Sequence, residues 1–169
     1  MALLPLTLAV ADPALAADTA FAAYRGRRVL GLADSIIADA FESRAPEVSW
    51  VTPPALRRMA RRNPGLVPEP DRMGQAVLRS PKMKRVPDPL RSSLRSLVAV
   101  TGGRYAMVPA SLAWVRDSSG LRADLALALA DARSGAVAWR TLASGHGATA
   151  PEALAAALAR VLPVDTPGE

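Results

Sequence analysis

Cysteine is absent from this chain of 169 residues. That excludes disulfide staples, thiolate metal centres and thiol nucleophiles, and it fits any cellular compartment. Histidine occurs once, at His146, so a multi-histidine zinc site cannot be assembled, and zinc would need carboxylates as most of its ligands. Lysine is limited to Lys82 and Lys84, which leaves arginine to carry nearly all the positive charge. Aromatic residues make up only 4% of the chain. A core must therefore be built from Leu, Val, Ile and Ala, with Trp50, Trp114 and Trp139 as its largest pieces. No run reaches the ~18–20 apolar residues that a membrane-spanning helix needs. Walker-type and kinase-type glycine loops are missing as well.

Half of the residues are nevertheless hydrophobic, and the length suits one domain over 1–163 with a short tail at 164–169. The N-terminus supports two readings. Ala2 to Val10 is apolar and Ala14-Leu15-Ala16 follows, the layout of a signal h-region with its cleavage site. No Lys or Arg follows Met1, however, so the positive n-region is missing. The preferred reading is a first buried strand, central to the sheet, over Ala2-Leu3-Leu4-Pro5-Leu6.

Apolar residues from Val29 to Phe41 recur at helical spacing, and Glu47 to Val51 reads as a short strand. Thr52 caps a helix that Pro53 and Pro54 can begin, and Asn63-Pro64-Gly65 ends it. Residues 64–89 carry Pro64, Pro68, Pro70, Pro81, Pro87 and Pro89. They read as a long surface excursion with one short helix near Asp71 to Leu78, too long for a plain connector. Asp88-Pro89 should cap the next helix, which Gly102-Gly103 stops. Three strands follow. Tyr105 to Arg116 contains Pro109, which calls for a bulge or an edge. Leu121 to Ala130 alternates with period two, and Asp131-Ala132-Arg133-Ser134-Gly135 turns the chain into a strand bearing Val137, Trp139 and Thr141 on one face. Trp139 should be buried there against Leu125, Leu127 or the last helix. Ser144-Gly145-His146-Gly147 reads as a flexible loop before that helix, and Thr149-Ala150-Pro151-Glu152 is its capping box. The order β-α-β-α-(α)-β-β-β-α predicts an α/β (α+β) fold, a mixed sheet of about five strands flanked by helices.

The catalytic inventory is poor. Leu30-Gly31-Leu32-Ala33-Asp34-Ser35 loosely resembles a lipase and esterase nucleophile block, but its spacing is wrong and Ala143 stands where an Asp should precede His146. The sequence does not reveal the environment of the carboxylate pairs Asp34/Asp39 and Glu69/Asp71, and most such pairs are solvated surface. No cofactor or metal is expected.

Charge is the stronger signal. Of the net +6, the segment from Arg57 to Arg95 holds eleven basic residues against Glu69, Asp71 and Asp88, a local +8. On the helix after Thr52, Arg57, Arg58, Arg61 and Arg62 fill an arc of about 140° opposite Leu56 and Met59. With Lys82, Lys84 and Arg85 they form the expected contact surface for an anion or an acidic partner. A solvated face of an arginine-rich protein is the competing reading. Nucleic acid is a weaker partner, because residues 57–95 contain no aromatic for base stacking.

The Leu-Leu-Pro-Leu opening and the Leu127 to Trp139 hairpin, with Asp-Ala-Arg-Ser-Gly leading into Val137-Ala138-Trp139, resemble a known pair of domains. These are the amino-terminal domain of the Tol-system translocation protein and the related domain of curli-secretion lipoproteins. The resemblance follows most of the chain in element order and is close only at those two places. It implies a non-enzymatic, bacterial cell-envelope or periplasmic domain that meets other proteins, with any export signal upstream of Met1 or removed. It carries over no ligand residue, and the proline-rich 64–89 excursion is foreign to it. The alternatives are a cytoplasmic nucleic-acid or anionic-surface binder and an unrecognised small enzyme.

Overall fold

The computed structural model describes residues 1–18, 21, 24 and 26–162, so the 164–169 tail lies outside the described residues. Five strands form one mixed sheet flanked by helices, as the element order predicts. Strands β3 (Tyr105–Asp117), β4 (Gly120–Asp131) and β5 (Val137–Gly147) form an antiparallel meander. The other two, β1 (Ala2–Leu3) and β2 (Ala9–Ala11), both run parallel to β3. The N-terminal run is thus buried but not central, since it lies at the β3 side of the sheet. Pro5 breaks it in two, and the ladder of β3 shifts register opposite this gap, at Pro109/Ser111.

The polar groups freed by that interruption are met from elsewhere. Leu6 donates its N–H to Asp34 Oδ1 at 2.7 Å, and Gln75, wholly buried, donates from Nε2 to the Pro5 carbonyl at 3.0 Å. The expected strand at Glu47 to Val51 does not form. Only Val51 pairs, in an isolated bridge with Ala2, because Trp50 instead packs its ring at a tilt against Phe41, 4.9 Å between centroids, and donates its indole N–H to the Ala45 carbonyl.

Each face of the sheet covers a core. Leu121, Ala123, Leu125 and Leu127 pack against α2 (Gly26–Arg44) and α5 (Ala150–Val161). On the other face Ala126, Ala128 and Ala130 lie under Leu56 and Ala60 of α3 (Pro53–Arg62) and Leu90, Leu94 and Leu97 of α4 (Leu90–Thr101). Those alanines of the period-two pattern are therefore a second core and not a wet face. A short helix, α1 (Pro13–Ala17), begins at Asp12, whose side chain accepts from Leu15 N–H.

The 64–89 excursion packs down. Its expected short helix resolves into two 3-10 turns, Pro70–Arg72 and Gln75–Arg79, and Val67, Met73, Leu78 and Val86 enter the second core. Arg140 clamps it to β5 through the Pro81 and Met83 carbonyls at 2.8 and 2.6 Å. Two expected caps shift by local chemistry. Thr52 makes no side-chain cap bond, and Pro89 occupies the cap position of α4 while Asp88 accepts from the Ser92 hydroxyl.

Two expectations near the C-terminus are overturned. Ser144-Gly145-His146-Gly147 is the end of β5 and not a loop. A Cβ on Gly145 would lie 2.1 Å from Ala157 N, and one on Gly147 2.5 Å from Ala153 N. The glycines are there so that α5 can press its backbone onto the strand. Val137 and Trp139 do not share a face as expected, because a register shift sets Val137 opposite Ala130 on the second core and Trp139 opposite Leu129 on the first, where Trp139 is 40% exposed. At about 1.5 Å per helical residue against about 3.3 Å per strand residue, α5 turns back over only about half of β5. Trp139 lies beyond its reach.

Candidate functional site

The arginine helix α3 buries Leu56 and Ala60 and exposes Arg58, Arg61 and Arg62, as its spacing predicts. Arg57 does not join them on the solvent side. Standing next to the buried stripe, it turns its long side chain inward, with Nη2 2.6 Å from Asp34 Oδ2 and 2.7 Å from Asp71 Oδ1. Its Nε lies 2.9 Å from Asp71 Oδ2. Asp34 is 5% exposed, and its pKa is raised chiefly by burial, against the opposing pull of the Leu6 N–H and the Arg57 guanidinium. The same carboxylates raise the Arg57 pKa, with the hydrogen bonds to Asp71 as the largest cause.

The sequence pairings of acids are thereby reshuffled. Asp39 is exposed and Asp34 is not, so those two do not act together. Glu69 pairs with Arg72 at 3.3 Å, while Asp71 takes Arg57. Ser35 donates to the Gly31 carbonyl within α2, and no hydrogen bond links it to a base among the described residues.

Lys82, Lys84 and Arg85 are exposed but stand beside the β4–β5 hairpin instead of on the α3 surface. Lys84 accepts from Val137 N–H through its carbonyl, Arg85 bridges to Ala136, and the Arg85 guanidinium donates to the Ser134 carbonyl at 3.0 Å. The predicted contact residues therefore divide between two places.

Between those places runs a surface that sequence reasoning did not single out. A cleft of about 700 Å³ is walled by Ser92, Arg95 and Ser96 of α4, by Gly103 and Arg104 beyond its end, and by Arg133 of the hairpin. Arg104 is committed to Asp131, at 2.7 and 3.1 Å, and forms part of the frame. That contact, with the Ser134 and Arg133 N–H groups, holds the Asp131 carboxylate well below the usual range. Arg95 and Arg133 have no ion-pair partner among the described residues. Arg95 was visible as a charge on the outer face of α4, and Arg133 as a hairpin residue. Nothing in their spacing joins two positions so far apart in the chain. No aromatic residue lines the cleft.

A second polar cluster lies at the far end of the sheet. Ser144 Oγ donates to Asp124 Oδ1 at 2.6 Å, His146 Nε2 is 3.1 Å from Asp117 Oδ2, and Arg122 reaches both aspartates. His146 and Ser144 are each tied to a different carboxylate, and no hydrogen bond links them to each other. The nucleophile–base contact that acyl transfer needs is not made. Among the described residues no group of three His, Asp or Glu is placed to hold a metal ion. No helix among them is long and apolar enough to cross a membrane.

The fold and this surface define a mixed α/β domain with an arginine-walled cleft on its α4 side. No protein-family model matches the chain, and neither a curated protein nor a solved structure is significantly similar to it.

Proposed function

We propose that this domain is a non-enzymatic interaction module that holds an acidic segment of another protein in the α4 cleft. The observation that carries the reading is that Arg95 and Arg133, which have no ion-pair partner among the described residues, line one shallow cleft together with Ser92 and Ser96. Guanidiniums without a partner lose little on meeting a carboxylate and gain charge-assisted hydrogen bonds of defined geometry. A cell-envelope setting belongs to the same proposal, on the strength of the resemblance at Leu127 to Trp139.

Nucleic acid is the weaker reading. Backbone phosphates would suit the arginines, but single-stranded bases need flat rings to stack on, and the cleft offers none. Catalysis lacks an oriented nucleophile.

The test is direct binding of a fluorescent oligoglutamate peptide to the parent chain and to an Arg95→Ser/Arg133→Ser variant. Salt-sensitive binding by the parent and its loss in the variant is the expected result. Undiminished binding by the variant would remove the cleft from consideration. Fractionation of the native producer cell tests the location, and a cytoplasmic pool alone would refute the envelope part.

A further inference from the structure

Arg57 already holds a carboxylate. Its Nε and Nη2 meet the two oxygens of Asp71 side by side at 2.9 and 2.7 Å, the geometry in which a guanidinium recognises a carboxylate. The fold does not require this second acid. Asp34, at 5% exposure, is the charge that must be neutralised in the interior, and Arg57 does that through a separate contact at 2.6 Å. Asp71 is 47% exposed and sits in a 3-10 turn of the excursion, not in a core element.

Its position connects it to the cleft. Arg57, Arg61 and Asp71 line a depression of about 400 Å³ together with Gly65, Val67 and Glu69. The last three are also walls of a neighbouring depression that Ser92, Ser93 and Ser96 close on its other side. Ser92 and Ser96 in turn belong to the Arg95–Arg133 cleft. Depressions that share lining residues are neighbours, and we read these three as one surface path with arginine at both ends and serine hydroxyls in the middle. Glu69 is the acid that a negative ligand passes on the way, and Arg72 at 3.3 Å offsets its charge.

We infer that Asp71 is a built-in stand-in for a ligand carboxylate, and that the path takes an extended acidic polypeptide. One acidic cluster of that segment lies between Arg95 and Arg133, and a second displaces Asp71 from Arg57. The inference rests on the acidic-partner reading of the cleft and adds a second anchor and an internal competitor. The exchange costs little, because it replaces one carboxylate on Arg57 by another and releases an already half-exposed side chain to water. An extended peptide advances about 3.3–3.6 Å per residue, so a very short one can fill only one end. The serine hydroxyls suit a peptide backbone, and no ring on the path suits a base.

The experiment uses the full chain with a short oligoglutamate of about four residues and a long one of about twelve, sized by that advance per residue. Asp71→Asn should tighten the long peptide about two- to fivefold, the scale of an exposed ion pair removed from competition, and leave the short one unchanged. In the parent chain, the Arg57 Nε–H resonance should move with the long peptide only. Arg95→Ser/Arg133→Ser should lose both peptides. If Asp71→Asn and the Arg57 resonance are indifferent to the long peptide while the double variant still loses binding, the second anchor is wrong and the cleft reading stands. Failure of the parent to bind either peptide ends both. A single-stranded DNA oligomer of equal charge that binds more tightly, with the same response to Asp71→Asn, would overturn the assignment to a polypeptide.

Discussion

Two glycines show how differently one residue type is used. Gly145 lies under α5, where an added Cβ would meet Ala157 N at 2.1 Å and the Ala153 carbonyl oxygen at 2.5 Å. Both obstacles are backbone and cannot rotate away. Gly145→Ala should therefore destabilise the fold by about 3 kcal/mol or more, measured by chemical denaturation. Gly31 sits inside α2 with ordinary backbone angles, and an added Cβ there would meet nothing within 4 Å. Gly31→Ala should stabilise by about 0.5–1 kcal/mol, by restricting the unfolded chain. Equal effects of the two substitutions would contradict this placement of α5. Arg57 is the other decisive residue. Arg57→Met leaves Asp34 buried with only the Leu6 N–H, and should cost about 3 kcal/mol. This figure lies at the low end of the range for buried pairs because the Arg57 side chain is 29% exposed. Restoring stability by a second change, Asp34→Asn, would confirm that the loss comes from the orphaned charge.

Among the elements, β5 and α5 depart most from expectation. Single residues in them were readable, since Trp139 falls on the Leu129 face and Thr149 caps the helix by accepting from Glu152 N–H. The length of overlap was not readable, because it depends on how a helix and a strand of different rise are superposed. Trp139→Ala should accordingly cost about 1–2 kcal/mol, while Phe41→Ala, a buried residue of α2 in contact with Trp50, should cost about 3–5 kcal/mol. A denaturation midpoint that falls as far for Trp139→Ala as for Phe41→Ala would show that α5 covers the whole strand. Helix α3 is the better-anticipated element. Its apolar stripe and three of its four arginines lie where ~100° per residue puts them. Arg57 escapes that arithmetic because periodicity gives the direction of Cβ and not the end point of a side chain long enough to reach a neighbouring helix.

For the whole molecule, acid stability is a balance of carboxylates shifted in opposite directions. Asp12, Asp117 and Asp131 have folded pKa values lowered from 3.8, so each contributes stability above that value and loses it as pH falls through its folded pKa. Asp34 is raised, so its ionisation opposes folding at neutral pH, and this cost is relieved as pH falls through its folded pKa towards 3.8. Asp131→Asn should flatten the loss of stability below about pH 4, whereas Asp34→Asn should remove the stabilising contribution that the parent gains on acidification above about pH 4. Urea midpoints followed between neutral pH and the acid limb read both slopes. Parallel curves for the two variants would show that neither group is coupled to folding in this way.

The sequence by itself determined helices α2 to α5, the order of the three-strand meander, the bulge at Pro109 and the left-handed stop at Gly102, because these depend on spacing and on local backbone chemistry. It also determined that cysteine and multi-histidine chemistry are closed to this chain. Tertiary structure alone decided which face a long arginine serves, how far one element overlaps another, and which distant residues share a surface. Glu47 to Val51 had the residues of a strand, yet Trp50 gained more from Phe41 and the Ala45 carbonyl than from a ladder. Arg95 and Arg133 became one cleft only when the β4–β5 hairpin was folded against the end of α4. Periodicity reports on neighbours within a few residues. A site assembled from both ends of a fold is written in the packing between them.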